Sequence, residues 1–213
     1  MITVDRIEDG LPVSVIIPHS IKRSKFFRQF VLPSIEGMNP IEIIINNDEG
    51  SAPKKRNAGF AKATQPYVLF SDDDIVFPND FLEKTIEALE KNPSKGYAYS
   101  GYHGIVMNTA INHSVGHNFT IPTIPFNGER LKQGNYISTM TLVRRELFPG
   151  FDENLKRLQD YDIWLTLLKR GVEGIAVPGV EYHAYFIDEG ITSNSNNEYD
   201  AINAIKLKHF ELF

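Results

Sequence analysis

Three aspartates in a row, Asp72, Asp73 and Asp74, follow the apolar run Tyr67-Val68-Leu69-Phe70. Like charges this close repel, and burial raises carboxyl pKa values. A hard divalent cation removes that penalty, and carboxylate oxygens suit Mg2+ or Mn2+. The stretch has no cation near it in sequence. Alone, an Asp triplet reads as a solvated acidic turn; its place after a buried strand favours a ligand site. A second group, Lys54-Lys55-Arg56-Asn57, stands at the start of an expected helix. Cations there oppose the helix dipole, unless the helix end faces an anion such as a diphosphate. Lys54 and Lys55 read as a solvated basic turn, and Arg56 as the better anion ligand. Asp160 and Asp162 lie two apart at the start of another expected helix, so their side chains diverge. One could face a cleft while the other caps or supports the helix. His183 follows Val180-Glu181-Tyr182 near a late strand, where a neutral imidazole could complete an oxygen-rich metal site. His19, His103, His113, His117 and His209 show no ligand spacing.

The elements that must carry these residues are legible in outline. Val13 to Ile17, ended by Pro18, is β-branched and almost wholly apolar, as in a strand buried on both faces. Lys25 to Ile35 has helical spacing, with its end blurred by Pro33. Ile41 to Ile45 is a second apolar run and leads into Asn46-Asn47-Asp48-Glu49-Gly50. Ser51 and Pro53 suit the cap and first turn of a helix running to about Ala63. Tyr67 to Phe70 is a third strand, and Pro78 opens a helix with Phe81, Ile86 and Leu89 apolar. Strand alternating with helix implies a mostly parallel sheet flanked by helices, an α/β fold. Ligands in such sheets bind beyond the carboxyl ends of the strands. Three of those ends are polar here: His19-Ser20, Asn47-Asp48 and Asp72-Asp73-Asp74.

The second half is less regular. Tyr97 to Met107 reads as one strand, His113 to Arg130 as loop with room for an edge strand, and Tyr136 to Val143 as β-prone. Gln159 to Lys169 reads as a helix with Ile163, Trp164, Leu167 and Leu168 on its apolar side and Gly171 as its stop. Gly174 to Val177 suits a strand, Ile191 to Asp200 a polar loop, and Tyr199 to Phe210 a closing helix. Without repeat or linker, residues 1–213 read as one domain, with a first part at about 1–110 and a second at about 111–213.

The 213 residues allow a large core, and 42% hydrophobic with 23% charged residues is ordinary for a soluble protein. A net charge of -5 argues against a nucleic-acid partner. An acidic protein that binds an anion needs local cations or a metal. The absence of cysteine excludes disulfides, thiolate zinc sites and thiol nucleophiles. Asp5, Glu8 and Asp9 fall where a signal peptide would be apolar. No stretch reaches the ~18 apolar residues of a spanning helix. A soluble, cytoplasmic protein is expected.

Taken in order, these segments resemble the GT-A fold glycosyltransferases, most closely glycosyltransferase family two. Val13 to Pro18 is similar to the family's first strand, and Glu42 to Ser51 to its second strand and uridine-contacting turn. Arg56-Asn57-Ala58-Gly59 resembles R-N-x-G, and Phe70 to Asp74 the D-x-D segment. Arg144-Arg145-Glu146-Leu147-Phe148 with Gly150-Phe151-Asp152-Glu153 resembles R-R-x-x-F…G-F-D-E. Gln159-Asp160-Tyr161-Asp162-Ile163-Trp164-Leu165 resembles E-D-x-D-L-W-L, with Gln in place of the Glu. The ordered series is far more specific than any single motif.

The resemblance implies a single Rossmann-like GT-A domain and a metal-dependent, inverting hexosyltransferase using a UDP-glucose-like donor. A glycan or glycoprotein hydroxyl would be the acceptor. It implies that Asn47 or Asp48 contacts the uracil, that Arg56 contacts the nucleotide and that Asp72 meets the ribose, with Pro18 and Asp73 completing the nucleotide set. Asp74 would bind Mn2+ or Mg2+ with His183 as a further ligand, and Asp160 would be the catalytic base. It leaves open that the chain is one module of a larger viral glycosyltransferase of the chlorella-virus kind. Two rivals stand beside this reading. A sugar-phosphate nucleotidyltransferase needs an early Gly-rich loop, and Pro18 to Arg23 holds no glycine. A non-catalytic glycan-binding module on the same fold would not need the acidic cluster or Asp160.

Overall fold

Val13, Val15, Ile16 and Ile17 are fully buried inside strand β2 (Leu11–Pro18), which lies between two parallel neighbours. A strand in that position has no wet face, which is why its sequence runs apolar without alternating. The computed structural model describes residues 1–107, 118–187 and 196–213, with 196–198 described as backbone only. The neighbours of β2 are β3 (Pro40–Asn46) and β4 (Tyr67–Phe70). They belong to a seven-stranded sheet of order β1-β3-β2-β4-β9-β6-β10. Its other members are β1 (Ile2–Arg6), β6 (Lys95–Tyr99), β9 (Leu142–Arg144) and β10 (Glu173–Ala176). β1 and β9 run antiparallel to their neighbours and the rest share one direction, so the sheet is mostly parallel, as expected.

Helices cover both faces. Ile35 of α2 (Leu32–Gly37) and Phe81, Leu82 and Leu89 of α4 (Phe81–Lys91) pack with Val15, Ile17 and Leu69. On the other face, Leu131 of α5 (Gly128–Gln133), Trp164 and Leu165 of α6 (Gln159–Lys169) and Ile205 of α7 (Asn196–Lys208) pack with Ile16, Ile44 and Phe70. α3 (Ala52–Phe60) crosses this second face so closely that a Cβ at Gly59 would lie 2.6 Å from Ile16 Cγ2. Among the described residues no helix is long and apolar enough to cross a membrane.

Several expectations need correction. Tyr97 to Met107 is not one strand: the chain leaves the main sheet after β6 and enters a second sheet as β7 (Tyr102–Val106). Gly101 marks the break. Its N–H donates to Thr123 Oγ1 at 2.8 Å, and a Cβ there would sit 2.1 Å from the Ile121 carbonyl oxygen. The second sheet has the order β5 (Ile75–Val76), β11 (Tyr182–Phe186), β7 and β8 (Phe119–Ile121); room for the edge strand β8 and a late strand near His183 were expected, but not a second sheet. Tyr136 to Val143 is strand only from Leu142, because the stretch before it serves α6: the Ile137 carbonyl accepts from Trp164 Nε1 at 2.8 Å.

α5 lies in the expected loop, capped by the Asn127 side chain, which accepts from the Arg130 amide. The expected helix over 25–35 is a composite of α1 (Ser24–Phe26), a π-helical turn Phe27–Val31 and α2. Pro33 has no N–H to give the turn before it, and the widened turn is bonded instead from the Leu32 amide to the Phe27 carbonyl. α7 begins at Asn196, so residues 196–200 of the expected loop are helical. Residues 191–195 of that loop lie outside the described residues, as do His113 and His117.

Candidate active site

β3, β2 and β4 end side by side, with Pro18 paired to Asn46 and the Ser71 amide bonded to the Ile16 carbonyl. The aspartates follow at once, and the chain turns at Asp73 and Asp74. Asp73 turns inward and is 2% exposed. Its Oδ2 accepts from the Ser20 amide at 2.7 Å and meets His19 Nδ1 at 3.0 Å, while Oδ1 accepts from Arg23 at 2.7 Å. His19 in turn stacks on Phe27. Its oxygens are bonded to the loop after β2, as is His19.

Asp72 and Asp74 are partly open. Asp72 pairs with Arg56, and Asp74 Oδ2 accepts from Arg23 at 2.9 Å. The triplet thus has cations beside it, brought from 16 and 51 positions away. Asp74 is nevertheless pushed up to about 7, first by burial and then by the charge of Asp72, with Arg23 opposing both and Asp73 adding to them.

α3 delivers Arg56, which is buried and lies with its guanidinium 5.3 Å from the Phe151 ring centroid. Asn57 beside it bonds the Phe151 backbone at both its amide and its carbonyl. Lys55 is not a solvated turn residue: its Nζ donates to the His19 carbonyl at 2.9 Å. Lys54 is exposed, as expected. Asn47 and Asp48 are also exposed at the end of β3, and Asp48 contacts the Met1 amino group. Asn46 holds that turn, accepting from the Asp48 amide at 3.0 Å and donating to the Lys55 carbonyl at 3.1 Å.

α6 brings the second carboxylate pair. Leu158, with φ 58, turns the chain into its first residue. Asp162 is 2% exposed and points to the end of α7, with His209 Nε2 at 2.8 Å and Lys208 Nζ at 2.9 Å. Asp160 points elsewhere, as the spacing required. Burial raises its pKa, against hydrogen bonds from the Tyr161 amide and the Asn135 side chain and the positive charge of Arg56. The charges of Asp72 and Asp160 both reach the hydroxyl of Tyr182, which burial holds well above its ordinary pKa. Arg56, paired to Asp72, thus lies near enough to Asp160 for its charge to act there.

Comparison with known proteins adds to this geometry. The model described as "Glycosyl transferase family 2" matches residues 28–150, more than half of the chain. The chain belongs to that family. An uncharacterized glycosyltransferase of Haemophilus influenzae is 29% identical over 140 residues, which span 61% of this chain and 45% of that protein. Residues 1–349 of S. aureus TarS in complex with UDP-GlcNAc superpose with a TM-score of 0.67 at 15% identity, covering 93% of this chain and 66% of that one. The same region in complex with UDP gives 0.62, with 65% of that chain covered. The chain thus spans under half of the Haemophilus protein and about two thirds of the TarS region. The likeness to TarS shows the GT-A fold.

Within this family 2 chain the matched stretch holds Asn47, Asp48, Arg56 and Asp72 to Asp74; Pro18 precedes it, and Asp160 and His183 follow it. His183 is on β11, opposite Val76 of β5 and beside His103 of β7, with ring centroids 5.4 Å apart. Burial and His103 lower its pKa. Among the described residues no group of three or more His, Cys, Asp or Glu side chains gathers to hold a metal, so His183 is not assembled with Asp72 and Asp74. Two carboxylates that raise each other's energy still fit a hard cation whose shell a diphosphate completes, since Mg2+ is commonly held by one or two carboxylates plus phosphates. Sequence reasoning missed Arg23, Asn135 and Tyr182. No local spacing announces them, because each meets its partner only through the fold.

Proposed function

We propose that this chain transfers a hexose from a UDP-sugar to a hydroxyl of a glycan or glycoprotein, with inversion at the anomeric carbon and with Mn2+ or Mg2+ as cofactor. The observation that carries the reading is Arg56. It is paired to Asp72 at the end of β4 while its charge reaches Asp160 on α6, so the donor-side acids and a half-buried carboxylate lie within electrostatic reach of one guanidinium. UDP as the nucleotide is supported by TarS, solved with UDP and with UDP-GlcNAc. Exposed Asn47 and Asp48 offer the uracil its polar contacts, next to Pro18. Arg56 meets the nucleotide and Asp72 the ribose.

Asp74 and Asp72 would hold the ion, which when bound offsets the charge that builds on the departing diphosphate. Arg23 gives up its hold on Asp74 for this and keeps its bond to Asp73. Asp160 accepts the acceptor proton as the hydroxyl oxygen attacks from the face opposite the leaving group. Its raised pKa makes it a stronger base than a solvated aspartate. The test is Asp160→Asn, measured for donor affinity and for product formation. Transfer should fall by ~10²–10⁴-fold with donor affinity unchanged. Near-normal transfer, or a product that retains the donor's anomeric configuration, contradicts the mechanism.

A further inference from the structure

We propose that Asn57 is a positioning residue for Arg56: its carboxamide clamps the backbone of Phe151, and the ring so held fixes the guanidinium in the nucleotide site. The inference rests on the proposed role of Arg56 as a nucleotide contact. Neighbouring residues on a helix point about 100° apart, so Asn57 does not share the direction of Arg56. It reaches across 94 positions instead. Its Oδ1 accepts from the Phe151 amide at 2.8 Å, and its Nδ2 donates to the Phe151 carbonyl at 2.9 Å and to Glu153 Oε1 at 2.9 Å. A primary carboxamide supplies an acceptor and a donor together, which an aspartate or a leucine cannot.

What the clamp fixes is a ring. Phe151 packs T-shaped against Phe70 at 4.9 Å and against Phe148 at 5.3 Å, and the Arg56 guanidinium lies over its ring at 5.3 Å. A guanidinium over an aromatic face is attracted by the ring quadrupole, more strongly when desolvated. Arg56 is 5% exposed, and its Nε has no hydrogen-bond partner among the described residues. Its placement therefore depends on Asp72 at one end and on the ring below. Asp72 is itself a proposed donor contact, whereas the ring is independent of the ligand.

A double-mutant cycle on the whole chain tests this, with UDP affinity measured by titration at fixed Mn2+ and folding checked by thermal melting. Asn57→Ala and Phe151→Leu should each weaken UDP about 5–30-fold. Neither should weaken it further in an Arg56→Ala background. A side chain that only holds the loop to α3 would act equally with Arg56 present or absent, and that result overturns the inference. Wild-type affinity in Asn57→Ala beside a weak Arg56→Ala overturns it alone. Wild-type affinity in Arg56→Ala overturns it together with the nucleotide role it rests on. If Asn57→Ala fails to fold, Phe151→Leu decides alone, since it keeps the backbone atoms of the clamp and removes only the ring.

Discussion

At Asp160, hydrogen bonds from Tyr161 and Asn135 and the charge of Arg56 all favour the carboxylate, and burial still holds the pKa above its ordinary value. A base works deprotonated, so the sign is fixed: transfer falls as pH drops through that raised value. A profile of kcat/KM against pH should show its acid limb above the ordinary aspartate range of about 4. Asn135→Ala removes a bond to the charged form and should move the limb higher still; a limb that stays or moves down would remove Asn135 from the site. The aspartate triplet separates in the same way. Asp74→Ala should abolish the effect of Mn2+ on UDP binding and leave folding intact. Asp73→Ala strips partners from His19, Ser20 and Arg23, and should destabilise by about 3–5 kcal/mol in denaturant unfolding. Residue type showed three like acids, to which the family resemblance gave separate roles. The loop that closes on Asp73 sets it apart from the other two in the fold.

Among the elements, β3 holds a buried glutamate away from the cleft. Burial alone would raise Glu42, but hydrogen bonds from Thr64, Ser14 and Arg6 outweigh it and leave its pKa lowered. A depressed carboxyl contributes stability that is full above its unfolded value and is lost as pH falls through the folded one. Urea midpoints should therefore drop at acidic pH in the wild type and show less of that drop in Glu42→Gln. A wild-type midpoint flat through the carboxylate range would contradict this. α6 and α7 are joined by Asp162 with Lys208 and His209, so Asp162→Ala should cost about 3–5 kcal/mol, against little for Asp160→Ala. The helix periodicity of α6 was legible from its residues, and so was the divergence of its two carboxylates. Which of the two is tied to α7 was not legible from the residues, because the answer lies in His209, 47 positions away.

For the whole molecule, β2, β3 and β4 were readable because buried parallel strands leave uninterrupted apolar runs. β1 and the pairing of the second sheet were not. β1 is a half-exposed edge strand, and β5, β7, β8 and β11 are short pieces whose pairing joins distant segments. The site follows the same division. Its acids and Arg56 lie in local motifs, whereas Arg23, Asn135 and Tyr182 enter through tertiary packing alone. The central claim is a nucleotide diphosphate site that depends on a divalent cation at the end of β4. The most direct measurement is a calorimetric titration of UDP into the whole chain, once with excess Mn2+ and once with excess chelator. UDP should bind more tightly with Mn2+ than with chelator, and more tightly than GDP does under the same conditions. Equal affinity for UDP in both titrations would contradict the claim.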